Sequence, residues 1–360
     1  MRRSIVTRST TKHRMVGLLA VVGLLLGSVG LADSAGSLAP PGQAGKPYPN
    51  MSSIASIGER VDKYYDLPEI SEGPRIDTAK GYRIEELGKG LYLISDGAYQ
   101  SVFMVYETGV VVIDAPPVYS AKLRQAIAEV SDKPITHIIY SHFHRDHIAG
   151  TADIVVGHPI IIAQEETKRL LVRAADPKRP LPTVTFKERY TLKVGSQVLE
   201  LSYPGDGHAL GNIQIYAPAQ RTLVYIDVIF PGWIPFSRFG LADDVPAYFA
   251  QVKRLDSLPW EKLVTGHVTR IGTHADVEAQ GEFDEDIKAA ATQALGSTVF
   301  VSGINPADMG NKWALFDDWF NRAAVGCVNN MGDKWMRRLG GYDVFIWDNC
   351  YAMLGSLYAD

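Results

Sequence analysis

The chain has 360 residues, and 46% of them are hydrophobic, so it can bury a large core and form one large domain with an extension. Its formal net charge is −4, and it contains no lysine- or arginine-rich run that could neutralise phosphate groups. These properties argue against a nucleic-acid partner.

The first 32 residues are predicted to be a signal peptide. Five basic residues and no acidic residue precede an apolar run of 17 residues, and small residues follow the run, with cleavage predicted after Ala32. A membrane anchor is the alternative, although four glycines interrupt the run and make it less apolar. Export predicts a periplasmic or secreted mature protein with a net charge of about −9 and no stable membrane association.

Three further segments follow the predicted signal peptide. Residues 33–80 begin with a stretch rich in Pro, Gly and Ser, which predicts a flexible linker. Residues 81–282 contain three or four strands, the helical segment "SAKLRQAIAEVS", and then further strands and helices. This order predicts an α/β domain in which two αβ halves pack sheet against sheet. Residues 283–360 are predicted to be a helical, aromatic-rich extension.

The predicted extension contains both cysteines and a stripe of aromatic residues. Cys327 and Cys350 lie close together in a chain that is predicted to be exported, which favours a disulfide bond between them. The spacing of the aromatic stripe places it on one face of a helix, and we expect core packing in preference to a role in lining a substrate pocket. The stripe consists of Trp313, Phe316, Trp319 and Phe320.

The segment "YSHFHRDHIAG" places three of the nine histidines and an aspartate within six residues, directly after a buried-strand pattern. His142 and His144 are two residues apart, so in extended backbone they point to the same side and can share one metal ion. Asp146 and His147 follow where the chain turns and can hold a second ion. Nitrogen and carboxylate ligands without thiolates suit Zn²⁺, with Mn²⁺ or Fe²⁺ as alternatives.

Further metal ligands are expected elsewhere in the chain. His208 follows a strand and is flanked by glycines that let the backbone approach a ligand closely. Asp227 ends the apolar run "TLVYID", where a carboxylate is unfavourable to bury unless a partner such as a metal ion is present. His267 also follows a short apolar run.

Together these motifs resemble the metallo-β-lactamase superfamily over roughly residues 83–277. The resemblance includes Asp114 after an early strand, the His-x-His-x-Asp-His signature, the glycine-flanked His208, the strand-end Asp227 and the Gly-His pair at His267. It implies a four-layer αβ/βα sandwich, with the site at one edge of the two sheets and a C-terminal helical segment appended.

The resemblance also implies a role for each candidate residue. One metal ion would be bound by His142, His144 and His208, the other by Asp146, His147 and His267, and Asp227 would bridge the two. We expect Asp114 to support the ligands through hydrogen bonds, His137 to be packed, and His158 and His274 to be solvated.

The reaction implied by this resemblance is hydrolysis. A hydroxide shared by two Zn²⁺ ions per chain would attack the substrate, and Asp146 would act as the catalytic residue that orients it and passes a proton to the leaving group. The Asp227 position resembles the glyoxalase II and lactonase branches, so the predicted substrate is a small-molecule ester or lactone, although Phe230 stands where many lactonases have tyrosine.

Alternative functions remain at this stage. A β-lactamase is one, because an export signal is typical of periplasmic β-lactamases. An iron-dependent redox member of the superfamily is another, and a metal-binding protein without turnover is a third. The sequence makes no prediction of the oligomeric state.

Overall fold

The computed structural model describes residues 64–300 and 310–359. The predicted signal peptide, residues 1–32, and residues 33–63 of the predicted linker lie outside the described residues. Within the two described ranges, no helix is long and apolar enough to cross a membrane.

The first sheet has seven strands in chain order and carries short helices between its later strands. Its first four strands pair antiparallel, and β4 through β7 pair parallel. The strands are β1 (Arg83–Gly88), β2 (Leu91–Ser95), β3 (Gln100–Tyr106), β4 (Gly109–Ile113), β5 (Ile135–Ile139), β6 (Ile160–Gln164) and β7 (Val184–Phe186). The helices are α1 (Ser120–Val130), α2 (Arg145–Ile148), α3 (Thr151–Ile154) and α4 (Glu165–Ala174).

The second sheet has five strands in the order β12-β11-β10-β9-β8, and only β11 and β12 pair parallel. Its strands are β8 (Arg189–Val194), β9 (Gln197–Ser202), β10 (Gln214–Ala217), β11 (Thr222–Val224) and β12 (Lys262–Val264). The helix α5 (Val245–Arg254) and a short turn (Ser237–Leu241) lie between β11 and β12 in the chain. Three-residue 3₁₀ turns occur at Glu69–Ser71, Pro218–Gln220 and Leu255–Ser257.

Three hydrophobic clusters hold these layers together. One lies between the two sheets and includes Val111 and Ile215. A second packs α1 against the outer face of the first sheet through Leu123 and Phe103, and a third packs α5 and the C-terminal helices against the second sheet. The α/β fold is therefore the predicted sandwich of two sheets covered by helices, with a helical segment at its C-terminus.

The C-terminal segment consists of α6 (His274–Ser297), α7 (Lys312–Met331) and α8 (Tyr342–Ala359). Helix α6 runs unbroken through residue 283, so the predicted boundary between the domain and the extension falls inside a helix. The amino-acid composition predicts this boundary, but the composition changes only after the helix has begun. Helix α6 starts at a capping box formed by Thr273 and Asp276.

The predicted disulfide bond is confirmed, because Cys327 of α7 is bonded to Cys350 of α8. The aromatic stripe is structural, as predicted, with one exception. Phe320 is buried, and Phe316 and Trp319 pack against the same core. Trp313 is instead 79% exposed, because the first turn of α7 extends beyond the layer that covers the rest of the stripe.

The predicted flexible linker extends too far towards the domain. Ser71 Oγ donates a hydrogen bond to the carbonyl of Gly232 (2.5 Å), and the indole of Trp233 donates to the carbonyl of Ser71 (3.3 Å). The Arg270 guanidinium donates to the carbonyl of Ile70 (2.9 Å). Residues 64–80 are thus attached to the domain by tertiary contacts that composition does not reveal.

Asp284 of α6 is a buried carboxyl group, and neither of its oxygens has a hydrogen-bond partner. Burial, reinforced by Glu285 and opposed by Lys253, raises its pKa well above the usual range. The native protein therefore keeps a proton that the unfolded chain releases above about pH 4. As a result, the contribution of Asp284 to the free energy of unfolding falls as the pH rises above about 4. The fall stops once the pH exceeds the pKa of Asp284 in the native protein.

We therefore expect Asp284→Asn to make stability less dependent on pH. Between pH 5 and pH 8, the free energy of unfolding of the wild-type protein should fall relative to that of the variant. The fall should be up to about 1.4 kcal/mol per pH unit over the range in which Asp284 stays protonated. Urea midpoints of both proteins, prepared in the same way, measure the difference across this range. Parallel pH profiles would contradict the expectation, whatever the absolute stabilities.

Candidate metal centre

The candidate ligands meet where parallel strands of both sheets end. His142 and His144 follow β5 of the first sheet, whereas Asp227 and His267 follow β11 and β12 of the second. His208 lies in the loop between β9 and β10. Loops at the carboxyl ends of parallel strands converge at one edge, so residues far apart in the chain become neighbours there.

The local backbone explains the division of the histidine cluster. The chain is still extended at His144, and helix α2 begins at the next residue with Asp146 and His147 in its single turn. His142 and His147 are fully buried, while His144 and Asp146 are partly exposed and line a cleft. The change from extended to helical backbone points Asp146 and His147 in a different direction from His142 and His144, as their spacing predicts.

All seven predicted ligands come together in two groups. The ligand atoms of the first group lie within 4.8 Å of one another, and so do those of the second. The first group is His142, His144, His208 and Asp227, and the second is Asp146, His147 and His267.

Asp227 lies between the two groups. Its Oδ2 atom is 2.9 Å from His147 Nε2, 3.3 Å from His208 Nε2 and 3.6 Å from His142 Nε2. Its Oδ1 atom is 3.3 Å from Nε2 of His267. One carboxylate thus contacts histidines of both groups, which is the position that a bridging ligand requires.

The backbone around Asp227 holds its carboxylate in this position. Asp227 has a positive φ of 64°, and its backbone N–H donates to the carbonyl of Thr265 (2.9 Å). Gly266, with a φ of 87°, passes so close that a Cβ atom there would lie 2.5 Å from Ile226 and 3.2 Å from Oδ1 of Asp227. Any other residue at position 266 would displace the ligand loop.

Asp114 supports the centre without belonging to either group. It accepts hydrogen bonds from the backbone N–H of Ser141 (2.8 Å) and from Ser141 Oγ (2.6 Å). Because Ser141 Oγ donates to Asp114, the same oxygen can accept from His142 Nδ1, which is 2.9 Å away. This arrangement leaves the lone pair on His142 Nε2, the atom that faces Asp227. The expected supporting role of Asp114 agrees with these contacts.

Electrostatics distinguish the histidines of the two groups. Burial, followed by the neighbouring His144, holds the pKa of His142 well below its usual range. Burial and His208 lower the pKa of His144 to about 4, so both imidazoles are neutral at neutral pH. Burial also lowers the pKa of His147, but the negative charge of Asp227 outweighs burial and raises this pKa to about 9. A metal ion bound by the second group must therefore displace a proton from His147.

The donor atoms fit divalent metal ions. Buried polar atoms normally have hydrogen-bond partners. Here Nε2 of His142, Nε2 of His147 and Oδ1 of Asp227 are buried and have none. Burial alone would raise the pKa of Asp227, but His147 and His267 hold it well below the usual range, so the carboxylate is charged. Convergent imidazoles and a buried carboxylate form a donor set suited to zinc, manganese or iron.

The centre opens into a cleft of about 650 Å³. Several residues that line this cleft are not predicted from the sequence. Four phenylalanines, Phe143, Phe230, Phe236 and Phe345, contribute aromatic surface, and Ser237, Gly240 and Leu241 come from the turn between α5 and the Asp227 loop. Of these, Phe236 lies in "FPGWIPF", which begins three residues after Asp227, but nothing in that segment distinguishes Phe236 from a core residue.

Two further side chains support the centre and carried no recognisable signal in the sequence. Arg179 is almost fully buried, and its guanidinium donates to the carbonyl of Phe143 (2.6 Å) and to Asp176 (3.0 Å), so it fixes the histidine loop. Tyr99 lies against His267, with ring centroids 4.6 Å apart.

The remaining described histidines lie outside both groups. His137 is partly buried on β5 and contacts Thr136 Oγ1 (2.9 Å), in line with the predicted packing role. His158 is exposed, as expected. His274 is exposed, as expected, and it also pairs with Asp256 (2.7 Å) and stacks on Trp260 (3.7 Å between centroids), because it begins α6 beside that ring.

Comparison with known proteins agrees with this geometry. The family model described as Metallo-beta-lactamase superfamily matches residues 95–267. The resemblance to this superfamily is therefore confirmed over the part of the chain that holds the candidate ligands. A metallo-beta-lactamase from Pontibacter korlensis shares the fold, with a TM-score of 0.50 and 19% sequence identity over 57% of this chain and 99% of that one.

Two curated relatives extend the comparison. The chain is 29% identical over 259 residues to the 2,4-dinitroanisole O-demethylase subunit alpha of a Nocardioides species. This alignment covers 67% of this chain and 76% of the relative. It is 27% identical over 153 residues to a metallo-beta-lactamase type 2 of Elizabethkingia meningoseptica, covering 39% of this chain and 60% of that protein.

Proposed function

We propose that this protein is an exported hydrolase with two zinc ions per chain that cleaves a small aromatic ester or lactone. The observation that carries the proposal is the pair of ligand groups with Asp227 between them, opening into an aromatic cleft. Seven nitrogen and oxygen donors are more than one tetrahedral ion can use. Manganese or iron could occupy the same donors.

The chemistry divides between the ions and the side chains. Divalent ions held by the two groups would acidify a coordinated water and polarise the substrate carbonyl. Asp146 lines the cleft with a side chain that is 43% exposed, so it can take a proton from the attacking water and return it to the leaving oxygen. Phe230 and Phe236 provide a flat apolar surface beside His267 on which an aromatic group can stack.

A second candidate reaction is cleavage of an activated aryl methyl ether. It is favoured by the similarity to the 2,4-dinitroanisole O-demethylase subunit alpha, the relative that matches the larger share of this chain. Hydrolysis of such an ether would release a phenolate and methanol, and the aromatic cleft suits this substrate as well as an aryl ester. β-Lactam hydrolysis is the third candidate, favoured by the similarity to metallo-beta-lactamases.

One activity screen separates these candidates. The mature protein, reconstituted with zinc, would be assayed with 4-nitrophenyl acetate, an aliphatic lactone, 2,4-dinitroanisole and a chromogenic cephalosporin, and its metal content would be measured. We expect ester or lactone hydrolysis that is lost on chelation and restored by zinc. Turnover of the ether or the cephalosporin alone would assign the corresponding alternative, and turnover that requires iron would assign the redox alternative. Turnover of none of the four would contradict the proposal.

The proposal includes the cellular setting. Residues 1–32 would direct export, and the mature chain would act in the periplasm or outside the cell on a small molecule, without nucleic acid and without stable membrane association. Fractionation of producing cells, with N-terminal sequencing of the mature protein, tests this part. An N-terminus that retains residues 1–32 in a membrane fraction would contradict it.

A further inference from the structure

One wall of the cleft is a turn with an unusual backbone. Arg238, Phe239 and Leu241 have φ values of 54°, 56° and 62°, and Gly240 lies between them at 68°. Residues with a Cβ atom avoid this left-handed region because Cβ approaches the carbonyl oxygen. A run of such residues persists only where surrounding contacts hold it in place.

The contacts that hold the turn come from α8. Asn349 is fully buried; its Oδ1 accepts from the backbone N–H of Phe239 (2.8 Å), and its Nδ2 donates to the carbonyl of Pro235 (2.7 Å). One carboxamide therefore connects the segment just before the turn to the middle residue of the turn. Beside it, Ser237 Oγ donates to Asp348 (2.5 Å).

The same face of α8 reaches the cleft itself. Phe345, Asp348 and Asn349 are spaced three and four residues apart, which places them on one side of the helix. The ring of Phe345 lies 5.4 Å from that of Phe236, and Phe236 in turn lies 5.5 Å from His267. Contacts thus run without a gap from α8 to a predicted metal ligand.

Helix α8 is fixed at two points that involve no metal ligand. Cys350, the residue after Asn349, is bonded to Cys327 of α7. Just before the helix, the backbone N–H of Gly340 donates to Ser71 Oγ (3.0 Å). The helix can therefore act as a fixed support for the turn.

We propose that Asn349 is a positioning residue that holds the left-handed turn, and with it Phe236, in the conformation that binds the substrate. Asn349 does not line the cleft, so it acts through the turn and not by contact with the substrate. The inference rests on the proposed function, because the wall it concerns belongs to the substrate cleft.

Steady-state kinetics with 4-nitrophenyl acetate test the inference. Asn349→Leu keeps the size of the side chain and removes both hydrogen bonds, so KM should rise at least about tenfold while kcat stays within about threefold. Asn349→Asp can still accept from Phe239 but cannot donate to Pro235, and it should give an intermediate KM. Asn330→Leu is the control: Asn330 joins α7 to the carbonyl of Ala290, far from the turn in the chain, and its loss should leave KM unchanged.

Limited proteolysis gives a readout that needs no turnover. Arg238 is an exposed trypsin site within the turn, and its cleavage requires local opening. We expect trypsin to cut after Arg238 at least about tenfold faster in Asn349→Leu than in the wild-type and Asn330→Leu proteins, as measured by mass spectrometry of the fragments. If Asn349→Leu does not fold, Asn349→Asp carries the same test.

The outcomes are distinct. Unchanged cleavage after Arg238 would show that Asn349 does not hold the turn, and faster cleavage with an unchanged KM would show that the turn does not position the substrate; either overturns the inference. Faster cleavage together with a higher KM supports it. If neither the wild-type protein nor any variant hydrolyses the ester, faster cleavage after Arg238 would still show that Asn349 holds the turn. The proposed function would then be contradicted.

Discussion

Replacing Asp227 by Asn is expected to remove the weaker-bound of two zinc ions and to lower turnover at least about tenfold. The carboxylate contacts histidines of both ligand groups, and an amide of the same shape cannot supply its negative charge. The first group would keep three histidines, whereas the second would keep Asp146, His147 and His267. The second ion should therefore be lost preferentially.

Zinc titration against a chromogenic chelator, run alongside turnover, measures this effect. Asp153→Asn provides a control, because Asp153 is an exposed carboxylate that pairs with Lys178 (2.9 Å) away from the centre. It should titrate like the wild-type protein. An unchanged two-step titration with full activity in Asp227→Asn would remove Asp227 from the centre and reopen the β-lactamase-like assignment.

Replacing His142 by Ala should abolish turnover, with a loss of at least about a hundredfold. His142 is fully buried, its Nε2 faces Asp227, and its Nδ1 is oriented by Ser141. Removing it takes one of the three histidine donors from the first group. Activity and zinc content of the purified variant measure the result, and circular dichroism establishes that it is folded.

His137→Ala is the matched control for His142→Ala. His137 lies on the strand that leads to the cluster, outside both ligand groups, and its ring contacts Thr136 Oγ1, so its loss should leave activity within about threefold. His158→Ala should behave in the same way. His274→Ala should preserve activity but lower thermal stability, because it removes the stacking on Trp260 and the pairing with Asp256. Normal turnover and zinc content in His142→Ala would exclude His142 as a ligand.

The ligands could be predicted from the sequence because each follows a local signal. An apolar strand ending in His or Asp marks a position at the edge of a sheet, and His142, Asp227 and His267 all follow such strands. The period of two along extended backbone and the change to a helix at Arg145 predict the same division of the cluster as the two groups of neighbouring ligand atoms.

The wall of the cleft could not be predicted in the same way. Phe236 and Phe345 come together from positions more than a hundred residues apart, and neither carries a local pattern that distinguishes it from a core residue. The left-handed run at Arg238 and Phe239 is equally hidden, because these residue types do not favour it and tertiary contacts, including the hydrogen bond to Asn349, hold it. Arg179 and the contacts of residues 64–80 also depend on tertiary packing alone.

The origin of the cleft wall in α8 has a consequence for how the protein folds. All seven candidate ligands lie between residues 142 and 267, whereas α8 comprises residues 342–359, near the end of the chain. A chain is synthesised from its N-terminus, so residues 142–267 emerge before residues 342–359 and can fold first. A chain in the course of synthesis can therefore bring its candidate ligands together before α8 completes the aromatic wall. Under the proposed function, the ligand groups would form before the substrate cleft is complete.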